Sequence, residues 1–325
     1  MTDFKYYIGI DIGGTKCAVT SACSDGAQIS FRDKKLFPTE DYPATIERIL
    51  DAVECFSRKE KISSIGVSCG SPLDAEKGII LSPPNLPGWD EVRIKDMLED
   101  RFGTGAYLEN DANACALAEY RFGAGRESRN MIFLTFGTGF GAGLILDGRL
   151  YRGTNGYAGE IGHVRLEESG PVGYGKEGSC EGFCSGGGLA RISSEKVKHA
   201  IREGKSVSFC NSVAEADSLN AKTVAEAARR GDELALDIYR ECGRNLGRSV
   251  SILLDIINPD TVVIGSIFER SEDLLRAEME KAISEEALEY TRKICKIKKA
   301  ELGDLIGDYA AVSIAIEGEK YDNHR

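Results

Sequence analysis

One pattern occurs twice in this chain and restricts its fold more than any other. Residues 6 to 20, "YYIGIDIGGTKCAVT", read as strand, glycine turn, strand; residues 131 to 148, "MIFLTFGTGFGAGLILDG", read as strand, glycine turn, strand and a closing Asp-Gly hairpin turn. The two segments align loosely, "IGIDIGGTKCAVT" against "IFLTFGTGFGAGL", a weak internal repeat that points to two related halves. Asp25-Gly26 supplies a matching hairpin turn after the first unit. Between the units, the periodicity predicts a helix over 43–60 opened by Pro43, a buried strand in "ISSIGVSCGSP", a proline-broken loop in "LSPPNLPGWDEV" and an amphipathic helix in "IKDMLEDRFG". A strand in "GAYLEND" and a helix in "ANACALAEYRFG" follow. Beyond the second unit, helical patterns run from 187 to 255 with a polar interruption at 204–222. The buried strand "PDTVVIGS" and the helix "SEDLLRAEMEKAISEEAL" come next. Strands alternating with helices make this an α/β protein. No low-complexity linker separates the halves, so two packed lobes with a cleft between them are expected.

Composition narrows the partners. The 325 residues are enough for two domains, or one large one. A formal net charge of -11 argues against a nucleic-acid or anionic-membrane surface, both of which reward clustered Lys and Arg. It leaves phosphate ligands open, because glycine loops and helix N-termini bind them through backbone N–H groups. The ten cysteines form no dense framework, and several lie in apolar runs, which suits buried thiols in a reducing cytosol. The first residues enter a strand-like run with no basic leader. The most apolar stretch, "MIFLTFGTGFGAGLIL", is short for a membrane span and broken by four glycines. The expectation is a cytoplasmic protein with no membrane partner.

Several short motifs carry chemistry, each beside a plainer reading. "DIGGTK" (11–16) sets a carboxylate and a hydroxyl around two glycines; such a turn lets backbone N–H groups reach phosphate oxygens, and Asp11 could organise Mg²⁺ through water. The plainer reading is an ordinary hairpin turn. In "FGTGFGAG", Gly137, Gly139 and Ala142 match a dinucleotide fingerprint, but that motif must open a helix and here it opens a strand. "GKS" at 204–206 ends like a P-loop, yet the motif's first glycine position is His199. Asn110 and Asp111 stand where a strand gives way to a helix. Asp111 there is either a helix cap or a general base exposed in an α/β cleft. Glu160, His163 and Glu181 resemble a lining that reads sugar hydroxyls, although a lone Glu is usually a solvated surface group. His199 and His324 read as surface residues. Cys180 and Cys184, four apart in "GYGKEGSCEGFCSGGG", give that loop the look of a metal loop.

Taken together, "IDIGGTK", "ENDANACALAEYRFGAG", "TFGTGFGAGLILDGRLYRGTNGYAGEIGH" and "CEGFCSGG" resemble the ROK family of sugar kinases, in order from about residue 7 to about 315. The resemblance implies the two-lobed actin/hexokinase-like (ribonuclease H-like) α/β fold with a central cleft. It implies a small lobe over 1–118, a large lobe over 119–304, and a helix at about 305–325 packing back on the first. It also implies ATP-dependent phosphorylation of a hexose or N-acetylhexosamine, usually on the primary hydroxyl, with Mg²⁺. Carried over by residue, Asp11, Gly13, Gly14, Thr15 and Lys16 form the first phosphate loop, with Thr138 and Gly139 in the second. Asp111 is then the base; Ser71, Asn110, Glu160, His163 and Glu181 hold the sugar; Gly265 faces the adenosine. Kinases of the family usually continue with a second glycine, where this chain has Ser266.

Many members carry zinc on the ExGH histidine and three cysteines in C-G-C-(x)4-C-x-E. Aligned on Glu181, those cysteine positions hold Val172, Tyr174 and Ser179, with Cys180 displaced by one and Cys184 beyond the glutamate. His163 with two thiols falls short of a closed tetrahedral set, so no zinc is expected. Val172 and Tyr174 are expected to pack this loop through apolar contacts instead. Two readings stand beside the kinase. A ROK-type repressor needs a DNA-binding helical domain ahead of the first phosphate loop, which here begins near residue 11. A sugar sensor would lack the chemistry altogether. The resemblance further implies a homodimer or homotetramer. It leaves the sugar unnamed and the donor as ATP or polyphosphate.

Overall fold

The computed structural model describes residues 4–322; His324 lies outside them. Each strand–turn–strand unit heads a five-stranded sheet. In the first half, β1 (Lys5–Ile12), β2 (Lys16–Ser24) and β3 (Ile29–Pro38) form an antiparallel meander. Helix α1 (Tyr42–Ser57) leads to β4 (Ile62–Cys69), parallel to β1. A small hairpin, β5 (Leu73–Asp74) and β6 (Ile79–Ile80), and α2 (Ile94–Phe102) precede β7 (Ala106–Asn110), parallel to β4. The order is β3-β2-β1-β4-β7. Helix α3 (Asp111–Phe122) crosses to the second half.

There β8 (Met131–Phe136), β9 (Phe140–Leu146) and β10 (Arg149–Tyr151) repeat the meander. A hairpin of β11 (Val172–Gly173) and β12 (Lys176–Glu177) is followed by the helices α4 (Cys180–Phe183), α5 (Gly186–Arg202), α6 (Ala221–Arg229) and α7 (Glu233–Ile257). Strand β13 (Thr261–Ile264), parallel to β8, leads through α8 (Ile267–Glu286) and α9 (Glu289–Ile294) to β14 (Lys296–Lys299), parallel to β13. The order, β10-β9-β8-β13-β14, matches the first sheet position for position. The chain ends its described course in α10 (Ile306–Asp322).

The inner strands β1, β4, β8 and β13 are buried almost throughout because both faces of each sheet are covered there. On one face of the first sheet, Ile8, Ile10, Val19 and Val67 pack with Ile49 and Val53 of α1 and Leu98 of α2. On the other, Tyr7 and Ala22 meet Val312, Ala315 and Ile316 of α10. Gly66 shows why β4 carries a glycine there: a Cβ would lie 2.1 Å from the Ala311 carbonyl oxygen. In the second half, α7 and α8 form the outer layer, and α3 lies against β8 and β9 from the other side.

Most sequence-predicted elements are present, with shifted ends. The helix opened by Pro43 stops at Ser57, and α8 starts at Ile267, ahead of the predicted start, with a kink at Ser271. The polar interruption holds one 3-10 turn, Glu215–Ser218. His199 is exposed and pairs with Glu203 one turn on. No helix among the described residues is long and apolar enough to cross a membrane.

Candidate active site

The two glycine turns face each other across the gap between the sheets, and β7 and α3 meet on its floor. A cavity of about 600 Å³ there is lined by Gly14 and Thr15 of the first turn, Thr138 and Gly139 of the second, and by Ser71, Asn110, Asp111 and Glu160. The Asp111 side chain opens onto it. Two smaller hollows adjoin. One, of about 300 Å³, shares Ser71 and Glu160 and adds His163, Glu181, Tyr157 and Tyr174. The other, of about 380 Å³, shares Asp111 and Thr135 and adds Asp11, Lys16, Ser266 and Asp308. A larger hollow of about 910 Å³ at the far end of the first sheet, beside Arg58 and Lys61, gathers none of these groups.

Local structure explains each placement. Asn110, not Asp111, caps α3: its side chain accepts from the Asn113 backbone N–H at 2.8 Å. That leaves Asp111 in the first helical turn, one oxygen accepting from the Ala112 N–H at 2.8 Å. Surrounding protein pushes the Asp111 carboxyl above the usual carboxylate range, although its side chain meets cleft water. Gly13 donates its N–H to the Lys16 carbonyl at 3.1 Å, closing the first turn, while Gly14 lies against Asn85, a neighbour the sequence did not single out. Asp11 is pushed up to about 6, first by burial and then by the nearby carboxylates of Asp308 and Asp111. Asp308 is itself buried between Thr20 Oγ1 and Lys34 Nζ, each at 2.6 Å.

Glu181 lies in the short helix α4, whose cap is Ser179, and its Oε2 accepts from the Phe140 backbone N–H at 3.2 Å. Glu160 is raised by burial and by repulsion from Asp111 and Glu181. His163 is exposed, its ring edge-on to Tyr174 at 6.4 Å. Gly265 is buried, its vacant Cβ direction aimed at the Phe133 ring and Ala300; the residue that lines the hollow is Ser266, at φ 57° and ψ -106°.

The cysteine loop departs from one expectation. Val172 and Tyr174 do not pack its interior: Val172 is 43 % and Tyr174 75 % exposed. Close backbone approach closes the loop instead. A Cβ on Gly182 would lie 2.0 Å from the Pro171 carbonyl oxygen, and one on Gly188 2.1 Å from that of Gly182. Cys180 and Cys184 are fully buried in the core under α7, Cys180 beside Ser249 and Cys184 beside Cys242. Their thiols thus sit in the core while His163 is exposed. Among the described residues no three His, Cys, Asp or Glu side chains converge to hold a metal.

The sequence left two residues of this floor unread. Glu109, next to last in β7, is buried against Arg152, which follows β10. Both lie inside stretches that carry the resemblance, Glu109 opening "ENDANACALAEYRFGAG" and Arg152 in "DGRLYRGTNGYAGEIGH", but nothing in the sequence pairs them or marks Glu109 as buried.

A family model described as the ROK family matches residues 7–317. A glucokinase of Streptomyces coelicolor is 31% identical over 313 residues, covering 95% of this chain and 97% of the relative. The solved structure of a ROK family glucokinase from Streptomyces griseus, in complex with glucose and AMPPNP, is 30% identical with a TM-score of 0.77, covering 97% of this chain and all of that one. Similarity extends to a regulator: the xylose repressor of Caldicellulosiruptor bescii is 29% identical over 270 residues, 81% of this chain and 66% of the repressor.

Proposed function

The chain belongs to the ROK family, with the two-lobed actin-like fold of its hexokinases and glucokinases, and from that premise we propose that it phosphorylates a sugar: an ATP-dependent kinase of a hexose or N-acetylhexosamine, acting at the primary hydroxyl. The observation that carries the reading is the floor of the cleft. Asp111 stands in a single cavity with both glycine turns, the amide of Asn110 and a second carboxylate, Glu160. Likeness to glucokinases along nearly the whole chain supports it.

In this reading Asp111 accepts the proton of the attacking hydroxyl. A carboxyl raised above its ordinary range is a better base at neutral pH than an unperturbed one. Asn110 spends its Oδ1 on the α3 cap, so its amide N–H₂ is the group left to meet a sugar oxygen. Ser71, Glu160, His163 and Glu181 take further hydroxyls, two carboxylates fixing the orientation of the ring. Gly14, Thr15, Thr138 and Gly139 line the path of the phosphates, with Lys16 beside them and the buried Gly265 behind Ser266. Asp11, crowded by two other carboxylates, suits a nearby cation, and it would hold Mg²⁺ through water. Mg²⁺, when bound with the nucleotide, supplies charge neutralisation on the transferring phosphoryl group. The protein's own contribution is alignment and exclusion of water as lobes over 1–118 and 119–304 close; the packing of α10 on β1 and β4 supports counting that helix with the first lobe.

Release of ADP across a panel of hexoses and N-acetylhexosamines tests the reading, with polyphosphate as the competing donor. The second reading, a sugar-binding protein without chemistry, draws on the likeness to the xylose repressor. Sugar binding with no ADP released would favour it. The kinase reading calls on no zinc, which elemental analysis of protein prepared without added metal checks. Light scattering of the same preparation tests the expected dimer or tetramer.

A further inference from the structure

Glu109 is a carboxylate to which the proposed chemistry gives no task. It immediately precedes Asn110 and is 1 % exposed. Its Oε1 accepts from Nδ2 of Asn113 at 3.0 Å and from the Asn110 backbone N–H at 3.1 Å. Its Oε2 accepts from Nε of Arg152 at 2.6 Å. Asn113 in turn gives its backbone N–H to Asn110. Residues 109, 110 and 113 therefore form a closed knot of hydrogen bonds with Asp111 projecting from it, and Arg152 is its anchor outside the knot. A carboxylate this buried is costly unless it is both paired and hydrogen-bonded. The guanidinium that meets it comes from just beyond the edge strand of the other sheet. Arg152 follows β10 and opens the segment that runs to Glu160. The pair joins the turn carrying Asp111 to the segment carrying Glu160.

We propose that Arg152 is a positioning residue for phosphoryl transfer: by holding Glu109 it fixes the Asn110–Asn113 turn, and with it the aim of the Asp111 carboxylate at the acceptor hydroxyl. The inference rests on the reading of Asp111 as the base. Alignment is where this chemistry is most sensitive, since a misplacement of about 1 Å costs on the order of 10²-fold in rate. A strut with no bearing on the reaction would look the same in a static structure and differ in kinetics.

The test compares Arg152→Met, Arg152→Lys, Glu109→Gln and the double variant Glu109→Gln/Arg152→Met, using the sugar that the parent phosphorylates and measuring melting temperature beside the rates. Arg152→Met is expected to lower kcat per folded molecule by about 10- to 100-fold, with the nucleotide KM within about twofold. Arg152→Lys should recover part of that loss, because it restores the charge without the guanidinium geometry. The double variant should be no slower than Arg152→Met, since both changes cut one link. A variant that melts lower yet turns over, per folded molecule, within about threefold of the parent overturns the proposal. So does a double variant whose losses multiply. Should Arg152→Met fail to fold, Glu109→Gln makes the same comparison: it keeps an oxygen for Asn113 and loses the charge, and an unchanged kcat would count against the proposal. Failure of the base assignment shows separately, as turnover surviving in Asp111→Asn whatever Arg152 does.

Discussion

Asp111 owes its aim to the residue before it. With Asn110 spent as the cap, Asp111 falls in the first turn of α3, one oxygen held by the Ala112 N–H while the side chain lines the cleft. Asp111→Asn is expected to cut turnover by roughly 10²–10⁴-fold or more while sugar affinity, read by calorimetry, stays near the parent's. Turnover within a few-fold would remove Asp111 from the role. The parent's kcat should also rise with pH through a limb above the usual carboxylate range, because the protonated acid accepts no proton. Ser266 makes a second point at this scale. Its φ of 57° with ψ of -106° lies in a region that favours glycine. Ser266→Gly is expected to stabilise the protein by about 1 kcal/mol in denaturant melts, the released strain exceeding the extra backbone entropy. No gain would mean the backbone is relaxed as it stands. The candidate base was legible because it sits at a strand–helix junction inside a long motif. Glu109 was not, because only the fold shows that it is buried and which arginine meets it.

At the scale of elements, small residues decide how closely layers approach. Gly9 and Gly66 on adjacent strands let α10 lie on the first sheet with its backbone almost touching. Gly66→Ala drives a methyl into the Ala311 carbonyl, with no flexible side chain to give way. It should destabilise by about 1–3 kcal/mol or more, measured by chemical denaturation. A neutral result would show that α10 can lift off without loss. Periodicity identified the elements themselves, including both strand–turn–strand units. Their ends were less legible, since the kink at Ser271 and the stop at Ser57 depend on neighbours distant in sequence. The cysteine loop was misjudged for a related reason. Val172 and Tyr174 are apolar enough to suggest packing, but consecutive close glycine contacts leave no interior for them.

At the scale of the whole molecule, carboxylates from three separate elements crowd one hollow: Asp11 from β1, Asp111 from α3 and Asp308 from α10. Asp11 is raised to about 6, whereas an unfolded chain holds an aspartate near about 3.9. The native state therefore binds this proton more tightly. The resulting stabilisation is fully present below about pH 4 and is lost as pH rises through about 6. Relative to Asp11→Asn, the parent should lose on the order of 2 kcal/mol of stability between pH 4 and pH 7, measured by denaturant melts at each pH. A constant difference would mean that Asp11 titrates as it does in the unfolded chain. No stretch of sequence announces this crowding, because three distant segments create it. The position of α10 also bears on how the protein is made. The first sheet is synthesised early, but the helix covering one of its faces is synthesised last among the described elements; Lys5 meets Glu319, and Ser64 meets the Ala315 carbonyl. At about 5–20 residues per second, a ribosome spends on the order of 10–40 s between α3 and α10. Throughout that interval Tyr7 and Ala22 present an uncovered apolar face to solvent, so the nascent chain should engage holding chaperones over its first half and release them once α10 has emerged.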